Sequence, residues 1–345
     1  MFWINKLTGQ KYYNKVQALK NSTELKFCVH EGYEDCDWLT EPTGSWEDIM
    51  LARAIDLREK HDYLRIYYSG GSDSHEILSL FLKHHIHIDE ILMARQSPVN
   101  YFTGPSNKEI NEVAIPFVNS IKDTIPNTKV TVCDIGEQAF NNYFGQKNFL
   151  TDCYSNHFRP GWCSNFHVLV PGINDIPGVC NLIGLEKPTI GIDNTGIFLQ
   201  YTDNTFGGHI VSQERASTSA IDNFFLEPKL LSKQCHIIKN EYLKTGDNGM
   251  LGRKDTNTIN TLIRSSHLPA VKFHQKQPGK SYSGFNFGSE KSRLLYLETI
   301  DRDPENMSLK LYKKGITQLN LLTGVNLGES LFVGTLSDKY YLHIF

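Results

Sequence analysis

The stretch RIYYSGGSDSHEILSLFL, residues 65–82, decides the fold predicted for this chain. An apolar run ends in Ser-Gly-Gly-Ser-Asp-Ser, and Ile77, Leu78 and Phe81 then follow with helical spacing. This pattern predicts a strand that ends in a glycine-rich turn and passes into a helix. Ligands of open α/β sheets bind outside the carboxyl ends of the strands, so the turn is the first candidate site.

The composition is that of an ordinary globular protein. The chain has 345 residues, of which 40% are hydrophobic and 21% charged, enough for one large domain or two smaller ones. A net charge of −3 provides no overall attraction to nucleic acid, although a local basic patch stays open. The seven cysteines are scattered and odd in number, which favours a reducing, cytoplasmic location over a disulfide framework. We find no signal-peptide pattern and no apolar run long enough for a membrane span, so no membrane partner is expected.

Strands and helices are predicted to alternate around the turn. The predicted order is a strand at 63–68, the helix after the turn, a strand at 89–95, a helical stripe at 110–121 that Pro116 should kink or split, and a strand at 129–135. A capping box at Ser45 predicts a further helix before the first of these strands. This alternation predicts an α/β fold with a parallel sheet flanked by helices and right-handed crossovers.

Three parts of the chain are predicted. Residues 1–44 form a small N-terminal β element with a hairpin around Gly9, residues 45–245 an α/β domain, and residues 246–345 a C-terminal α+β extension. Further predictions are two strands within 187–203 joined at Asn194-Thr195-Gly196, a helical stripe at 216–243 with a break at Pro228, and a closing hairpin in the tail.

The residue types of the turn suit an anion. Gly70 and Gly71 allow close approach of a ligand to the backbone, and successive N–H groups form an anion-binding nest. The helix N-terminus adds partial positive charge, and Ser69 and Ser74 offer hydroxyls to phosphate oxygens. Asp73 would repel a phosphate unless a divalent cation lay between them, and Mg²⁺ is the hard-oxygen candidate.

The motif S-G-G-x-D-S after a strand resembles the PP-loop of the ATP pyrophosphatases, the adenine nucleotide alpha hydrolase-like superfamily. Its core positions match at Ser69, Gly70, Gly71, Asp73 and Ser74, with Ser72 at the variable position. With the preceding helix and strand, residues 45 to about 200 look most like the synthetase domain of asparagine synthetase. The resemblance implies that the loop binds the pyrophosphate part of ATP with Mg²⁺ near Asp73. It also implies cleavage of ATP between its α and β phosphates.

The activity implied by this resemblance is that of an ATP-dependent, AMP-forming ligase. It would adenylate a carboxylate or carbonyl of a small-molecule or peptide substrate, and an amine or ammonia would then displace AMP. Residue 2 is Phe2 rather than the nucleophilic Cys of glutamine-using enzymes, so no glutaminase of its own is expected. Two alternatives stay open: a PP-loop enzyme that modifies a nucleobase or tRNA, and a nucleotide-binding protein that has lost catalysis.

Further candidates lie in other predicted turns. Glu186 and Lys187 precede a predicted strand, where the lysine could stabilise leaving pyrophosphate and the carboxylate could act as a base. A solvated ion pair is the alternative for these two residues. The asparagine synthetase group uses a Glu and a Lys in this way, but this turn does not align with them. Arg95 ends the second strand, which in this fold lies near the adenine; a surface arginine is the alternative.

Two sets of residues complete the candidates. Asn107, Glu109 and Asn111 could line the site or cap the helix that they open. A possible zinc site is spaced C-x₃-H-x₅-C-x₃-H, at Cys153, His157, Cys163 and His167. A chance cluster interrupted by Pro160-Gly161 is the alternative, and a thiolation role for Cys153 and Cys163 is a weaker one.

Overall fold

The computed structural model describes residues 2–13, 15–22, 24–97, 99–138, 178–184, 188, 190–201, 220–245, 262–263 and 335–345. In chain order the elements are β1 (Phe2–Asn5), β2 (Lys11–Tyr12), α1 (Lys15–Asn21), β3 (Leu25–Cys28), α2 (Trp46–Lys60), β4 (Tyr63–Tyr67), α3 (Ser72–Lys83), β5 (Glu90–Gln96), α4 (Ile115–Ile121), β6 (Lys129–Ile135), β7 (Val179–Ile183), β8 (Ile190–Ile192), β9 (Gly196–Leu199), β10 (Ala220–Asn223), α5 (Pro228–Thr245), β11 (Leu262–Ile263) and β12 (Tyr340–Ile344).

The central sheet has five strands in the order β10-β7-β4-β5-β6, and every neighbouring pair is parallel. With its flanking helices it confirms the predicted α/β class. The chain runs from β4 outward through β5 to β6, then returns to the other side of β4 for β7 and β10. The strand order therefore reverses between β4 and β7, which is where open α/β sheets form a ligand crevice.

Apolar side chains of this sheet and its helices form one buried cluster. β4 contributes Leu64 and Ile66, while α2, α3 and α4 contribute Leu57, Phe81 and Val118. Because successive strand residues point to opposite faces, the cluster takes alternate residues of β4 and leaves Arg65 on the other face. This packing holds α3, and with it the Ser-Gly-Gly turn, against the middle of the sheet.

The start of α2 confirms the predicted capping box. Ser45 Oγ accepts from Asp48 N at 3.1 Å, and Asp48 Oδ2 accepts from Ser45 N at 3.0 Å. Next to Pro116, where a kink or split is predicted, the helix changes its hydrogen-bonding pattern. A π-helical segment covers Ile110–Ala114, and α4 begins directly after it with Pro116 in its first turn.

The N-terminal sheet has the order β2-β1-β3 and is antiparallel. Gly9 lies between β1 and β2 with a φ of 72°, as the predicted hairpin requires. The helix α1 (Lys15–Asn21) is not part of the predicted β element.

A third sheet has the order β11-β8-β9-β12 and is antiparallel. The predicted strand pair joined at Asn194-Thr195-Gly196 is confirmed, and Asp193 Oδ1 accepts from Gly196 N at 3.0 Å in the turn. In the tail, the described strand β12 has β9 as its partner.

The helix predicted at 216–243 is wrong for part of its length. Residues Ala220–Asn223 form the edge strand β10, and Phe224–Leu226 form a 3₁₀ turn. The helix α5 begins at Pro228, whose ring suits a first helical position. Of the helices in the described ranges, none has the length and apolar character that crossing a bilayer requires.

Candidate functional site

The Ser69–Ser74 turn lies at the carboxyl end of β4, next to the switch between β4 and β7. Gly71 is the N-cap of α3 with extended angles (φ −75°, ψ 163°), and no side chain caps the helix there. By contrast, α2 begins with a complete capping box. As a glycine, Gly71 contributes no side-chain cap to the first turn of α3, where the end of the helix carries partial positive charge. An anion is the complementary ligand for such an end.

Glycines let the backbone of the turn pack tightly from two sides. Gly70 has a φ of 81°, and a β-carbon there would lie only 3.1 Å from the backbone nitrogen of Ala114. Gly184 follows β7, and a β-carbon on it would lie 3.1 Å from Ser74 N and from the carbonyl carbon of Asp73. The turn is thus held between the π-helical segment and the end of β7, which only residues without a side chain permit.

The two hydroxyls expected to bind phosphate also hold the turn in shape. Ser74 Oγ accepts from Ser69 N at 3.2 Å and donates to Gly71 O at 3.2 Å. Ser69 Oγ lies 3.1 Å from Ser74 Oγ and accepts from Gly71 N at 3.2 Å. Ser74 is buried. The two side chains therefore stabilise the conformation of the loop by hydrogen bonds within it.

Two acids follow each other on successive turns of α3. Asp73 is half-buried in the first turn, where its carboxylate offers the hard oxygen donors that Mg²⁺ prefers. Among the described residues, no group of three or more His, Cys, Asp or Glu side chains is arranged to hold a metal. At nucleotide sites, Mg²⁺ usually binds one or two carboxylates together with phosphate oxygens and water.

The second acid, Glu76, is in a dry environment. Its Oε1 accepts from Trp46 Nε1 at 2.8 Å, whereas its Oε2 is buried without a hydrogen-bond partner in the described part of the chain. Burial raises the pKa of Glu76 to about 8; the Trp46 hydrogen bond acts against this rise, and the negative charge of Asp73 adds to it. Sequence patterns gave no signal for this residue, because its burial depends on Trp46 of α2.

The three residues that were expected to line the site or cap a helix have different positions. Glu109 is buried, and its Oε1 lies 3.2 Å from where a β-carbon of Gly71 would be. Asn107 instead binds the backbone of Gln96, accepting from its N and donating to its O at 2.8 Å each. Asn111 donates to Phe102 O at 2.9 Å. Of the three, Glu109 is the one that the described contacts bring to the loop.

Arg95 is engaged by a neighbouring strand. Its Nε and Nη2 donate to the two carboxylate oxygens of Asp134 at 2.6 and 2.8 Å, a two-point contact between paired positions of β5 and β6. The guanidinium also lies 5.8 Å from the ring centre of Phe102. A contact with adenine would add to this arrangement, and it stays a prediction.

His75, which directly follows the loop, packs against residues next to it, and no sequence pattern pointed to it. Its Nδ1 lies 2.9 Å from the Tyr68 hydroxyl, and its ring meets Phe117 edge-on at 4.7 Å. The other sequence candidates lie outside the described residues: Glu186, Lys187, Cys153, His157, Cys163 and His167.

A scan against protein-family models finds no match, and a search of curated proteins finds none either.

Proposed function

We propose that this chain is an ATP-dependent ligase of the PP-loop type, which adenylates a carboxylate or carbonyl and then transfers it to an amine or ammonia. One observation carries the proposal: S-G-G-S-D-S forms a strand-to-helix turn with a glycine N-cap at the strand-order reversal of a parallel sheet. This is where such sheets bind nucleotides, and the helix end is chemically suited to pyrophosphate.

The proposed reaction has two displacements. A substrate oxygen attacks the α-phosphorus of ATP, the bond to the bridging oxygen breaks, and pyrophosphate leaves toward the N-terminus of α3. The nitrogen of an amine then attacks the activated carbon, the bond from carbon to the AMP oxygen breaks, and the amine loses a proton. Positioning and electrostatic stabilisation would provide most of the catalysis, as is usual for transfer at phosphorus.

Individual residues have proposed roles in this reaction. Backbone N–H groups at the start of α3 would bind the pyrophosphate oxygens, and Asp73 would hold a Mg²⁺ ion that neutralises their charge. Glu186 and Lys187 stay candidates for base and for charge stabilisation. Their support is that Gly184, close before them in the chain, contacts the backbone of Asp73 and Ser74.

Exchange of labelled pyrophosphate into ATP tests the proposal. The protein is incubated with MgATP, labelled pyrophosphate and a panel of carboxylates, peptides and RNA. We expect exchange with one class of acceptor and a loss of at least about a hundredfold in Asp73→Ala, because removing one group that stabilises transition-state charge costs about that much. Asp123→Ala is the matched control, since Asp123 is an exposed aspartate in a 3₁₀ turn after α4.

Three results would count against the proposal. If the protein shows no pyrophosphate exchange and does not bind ATP, the nucleotide site is refuted. If Asp73→Ala exchanges pyrophosphate as fast as the wild type, the role of the loop is refuted. Exchange that requires RNA and weakens with added salt would identify a nucleic-acid modifier in place of the ligase.

A further inference from the structure

His236 is a fully buried imidazole of α5, and both of its ring nitrogens have partners. Its Nε2 lies 2.9 Å from Trp38 O, and its Nδ1 lies 2.8 Å from Lys239 Nζ. A carbonyl oxygen can only accept, so Nε2 carries a proton and donates it to Trp38 O. The ammonium of Lys239 can only donate, so Nδ1 accepts with its lone pair. Both contacts together therefore require the neutral ring, protonated at Nε2.

This imidazole connects three separate segments of the chain. Trp38 lies in the loop between β3 and α2, whereas His236 and Lys239 lie one turn apart on α5. Lys239 Nζ also donates to Leu342 O of β12 at 3.4 Å. Trp38 and Leu342 belong to the same buried core. The neutral ring thus links the loop to α5 directly and links β12 to α5 through Lys239.

A proton on Nδ1 would place two positive charges in contact. Four charged side chains interact with the ring, two from α5 and two from the loop: Lys239, Lys233, Glu41 and Asp37. From β12, the Leu342 carbonyl faces Lys239. Glu41 already accepts from Lys233 at 2.6 Å, and the charge of Asp37 is exposed to screening by water and salt. The nearest charged group, Lys239, therefore opposes protonation of the ring.

The pKa of His236 agrees with this geometry. Burial lowers the pKa, and the charge of Lys239 lowers it further. The hydrogen bond to Trp38 and the charge of Glu41 act against this shift without reversing it. Below the ordinary value of 6.5 the folded state consequently binds fewer protons than the unfolded state. The stabilisation is complete above that pH and is lost as the pH falls.

We propose that His236 is an acid-sensitive link, which releases β12 and the Trp38 loop from α5 when Nδ1 takes up a proton. The proton removes the acceptor to which Lys239 donates and replaces it with a like charge. Lys239 must then move away from the ring, and its contact with Leu342 O is lost as well. The inference is independent of the proposed function, because no residue of the Ser69–Ser74 turn takes part in the link.

Hydrogen exchange of backbone amides, followed by mass spectrometry at pH 7 and pH 5, tests the link. Each rate is divided by the intrinsic exchange rate at that pH. In the wild type we expect the protection of β12 to fall at least about tenfold at pH 5, because one pH unit of titration changes an equilibrium about tenfold. β12 should also be less protected than β5 at pH 5, since the link opens without unfolding the central sheet.

His236→Gln should keep the protection of β12 within about twofold between the two pH values. Its side-chain amide stays neutral, and it offers a donor to Trp38 O and an acceptor to Lys239. His87→Gln is the matched control: the side chain of His87 is 50% exposed and lies near Asp89, away from the link, so the wild-type fall should persist. If His236→Gln does not fold, as judged by its melting curve, Lys239→Met removes the opposing charge and should likewise narrow the fall.

Three results would overturn the inference. Equal protection of β12 at pH 7 and pH 5 in the wild type would mean that the ring does not open the link. A fall that persists in His236→Gln, or in Lys239→Met where that variant replaces it, would assign the acid effect to another group. If β12 and β5 were equally protected at pH 5, acid would act by global unfolding rather than by release of β12.

Discussion

Glu76 is a buried acid whose surroundings favour its neutral form. It lies one helical turn after Asp73, its Oε2 is buried without a partner among the described residues, and its pKa rises to about 8. At neutral pH the folded protein therefore favours the protonated carboxyl. A neutral acid at this place also avoids adding a negative charge next to Asp73.

Replacing Glu76 by Gln should flatten the dependence of stability on pH. The folded pKa of about 8 exceeds the ordinary value of 4.5, so the folded state binds more protons than the unfolded state between these values. The stabilisation is thus complete below pH 4.5 and is lost as the pH rises toward 8. Gln stays neutral and can still accept from Trp46, so Glu76→Gln should be more stable than the wild type at pH 8, by about 1–3 kcal/mol.

Urea unfolding between pH 5 and pH 9 measures this difference. Glu59→Gln, at an exposed position of α2, serves as the control and should follow the wild type. Parallel stability curves for Glu76→Gln and the wild type would mean that Glu76 is ionised in the folded protein.

At the scale of elements, the central strands are joined by a buried polar network as well as by their backbones. Arg65 Nε donates to Glu90 Oε2 at 2.8 Å, and Arg65 Nη1 donates to Asn181 Oδ1 at 3.1 Å. Thr131 donates to the other oxygen of Glu90 at 2.5 Å. These contacts run across β7, β4, β5 and β6. A one-residue slip of any strand would turn its polar partner to the opposite face, so the network specifies the register.

Removing one charge of this network should lower the free energy of unfolding more than replacing both members of its ion pair by apolar residues. The side chains of Arg65 and Glu90 are 7% and 1% exposed, so Glu90→Gln leaves a buried guanidinium without its counter-charge. We expect a loss of about 3–5 kcal/mol in the free energy of unfolding. The double variant Arg65→Met/Glu90→Leu should lose less than Glu90→Gln alone, since buried ion pairs are often replaced by apolar groups at little cost.

Chemical denaturation of the single and double variants tests this expectation. A double variant that is less stable than Glu90→Gln would show that the ion pair contributes net stability beyond its own desolvation.

At the scale of the whole molecule, a second core joins segments from the beginning, middle and end of the chain. Tyr340 of β12 packs on Tyr33 and Trp38, with ring centres 5.7 and 5.1 Å apart. The backbone of Phe27 donates to Leu336 O at 2.9 Å. α5 adds Leu231 to the same core. The N-terminal sheet, α5 and the last strand thus stabilise one another.

Two substitutions in β12 should separate its buried face from its exposed face. Leu342 is 1% exposed and belongs to this core, so Leu342→Ala should lower the free energy of unfolding by about 2–5 kcal/mol. Ile344, in the same strand, is 54% exposed, and Ile344→Ala should change it by less than about 1 kcal/mol. Thermal and urea unfolding of both variants give the comparison, and equal losses would mean that β12 does not pack as described.

Much of the central fold could be predicted from local rules. The turn at Gly70 and Gly71 and the capping box at Ser45 each depend on residues a few positions apart. So does the strand at Lys129–Ile135, whose bounds match the prediction. The prediction for the stretch before Pro228 was wrong, because an apolar run does not distinguish a short buried strand from a helix. There, pairing with β7 decided the outcome.

By itself, the sequence determined the strand-to-helix turn, its acid and the alternation of elements that puts the turn at the end of a parallel strand. Periodicity, glycine and capping act within a few residues, so the sequence displays them directly. Only the tertiary structure decided the strand order, the pairing of Arg95 with Asp134 and the burial of Glu76. It also decided that Glu109, many residues after the loop, lies against it. Each of these depends on packing between elements that are distant in sequence, where burial and charge are set by whichever side chains the fold brings together.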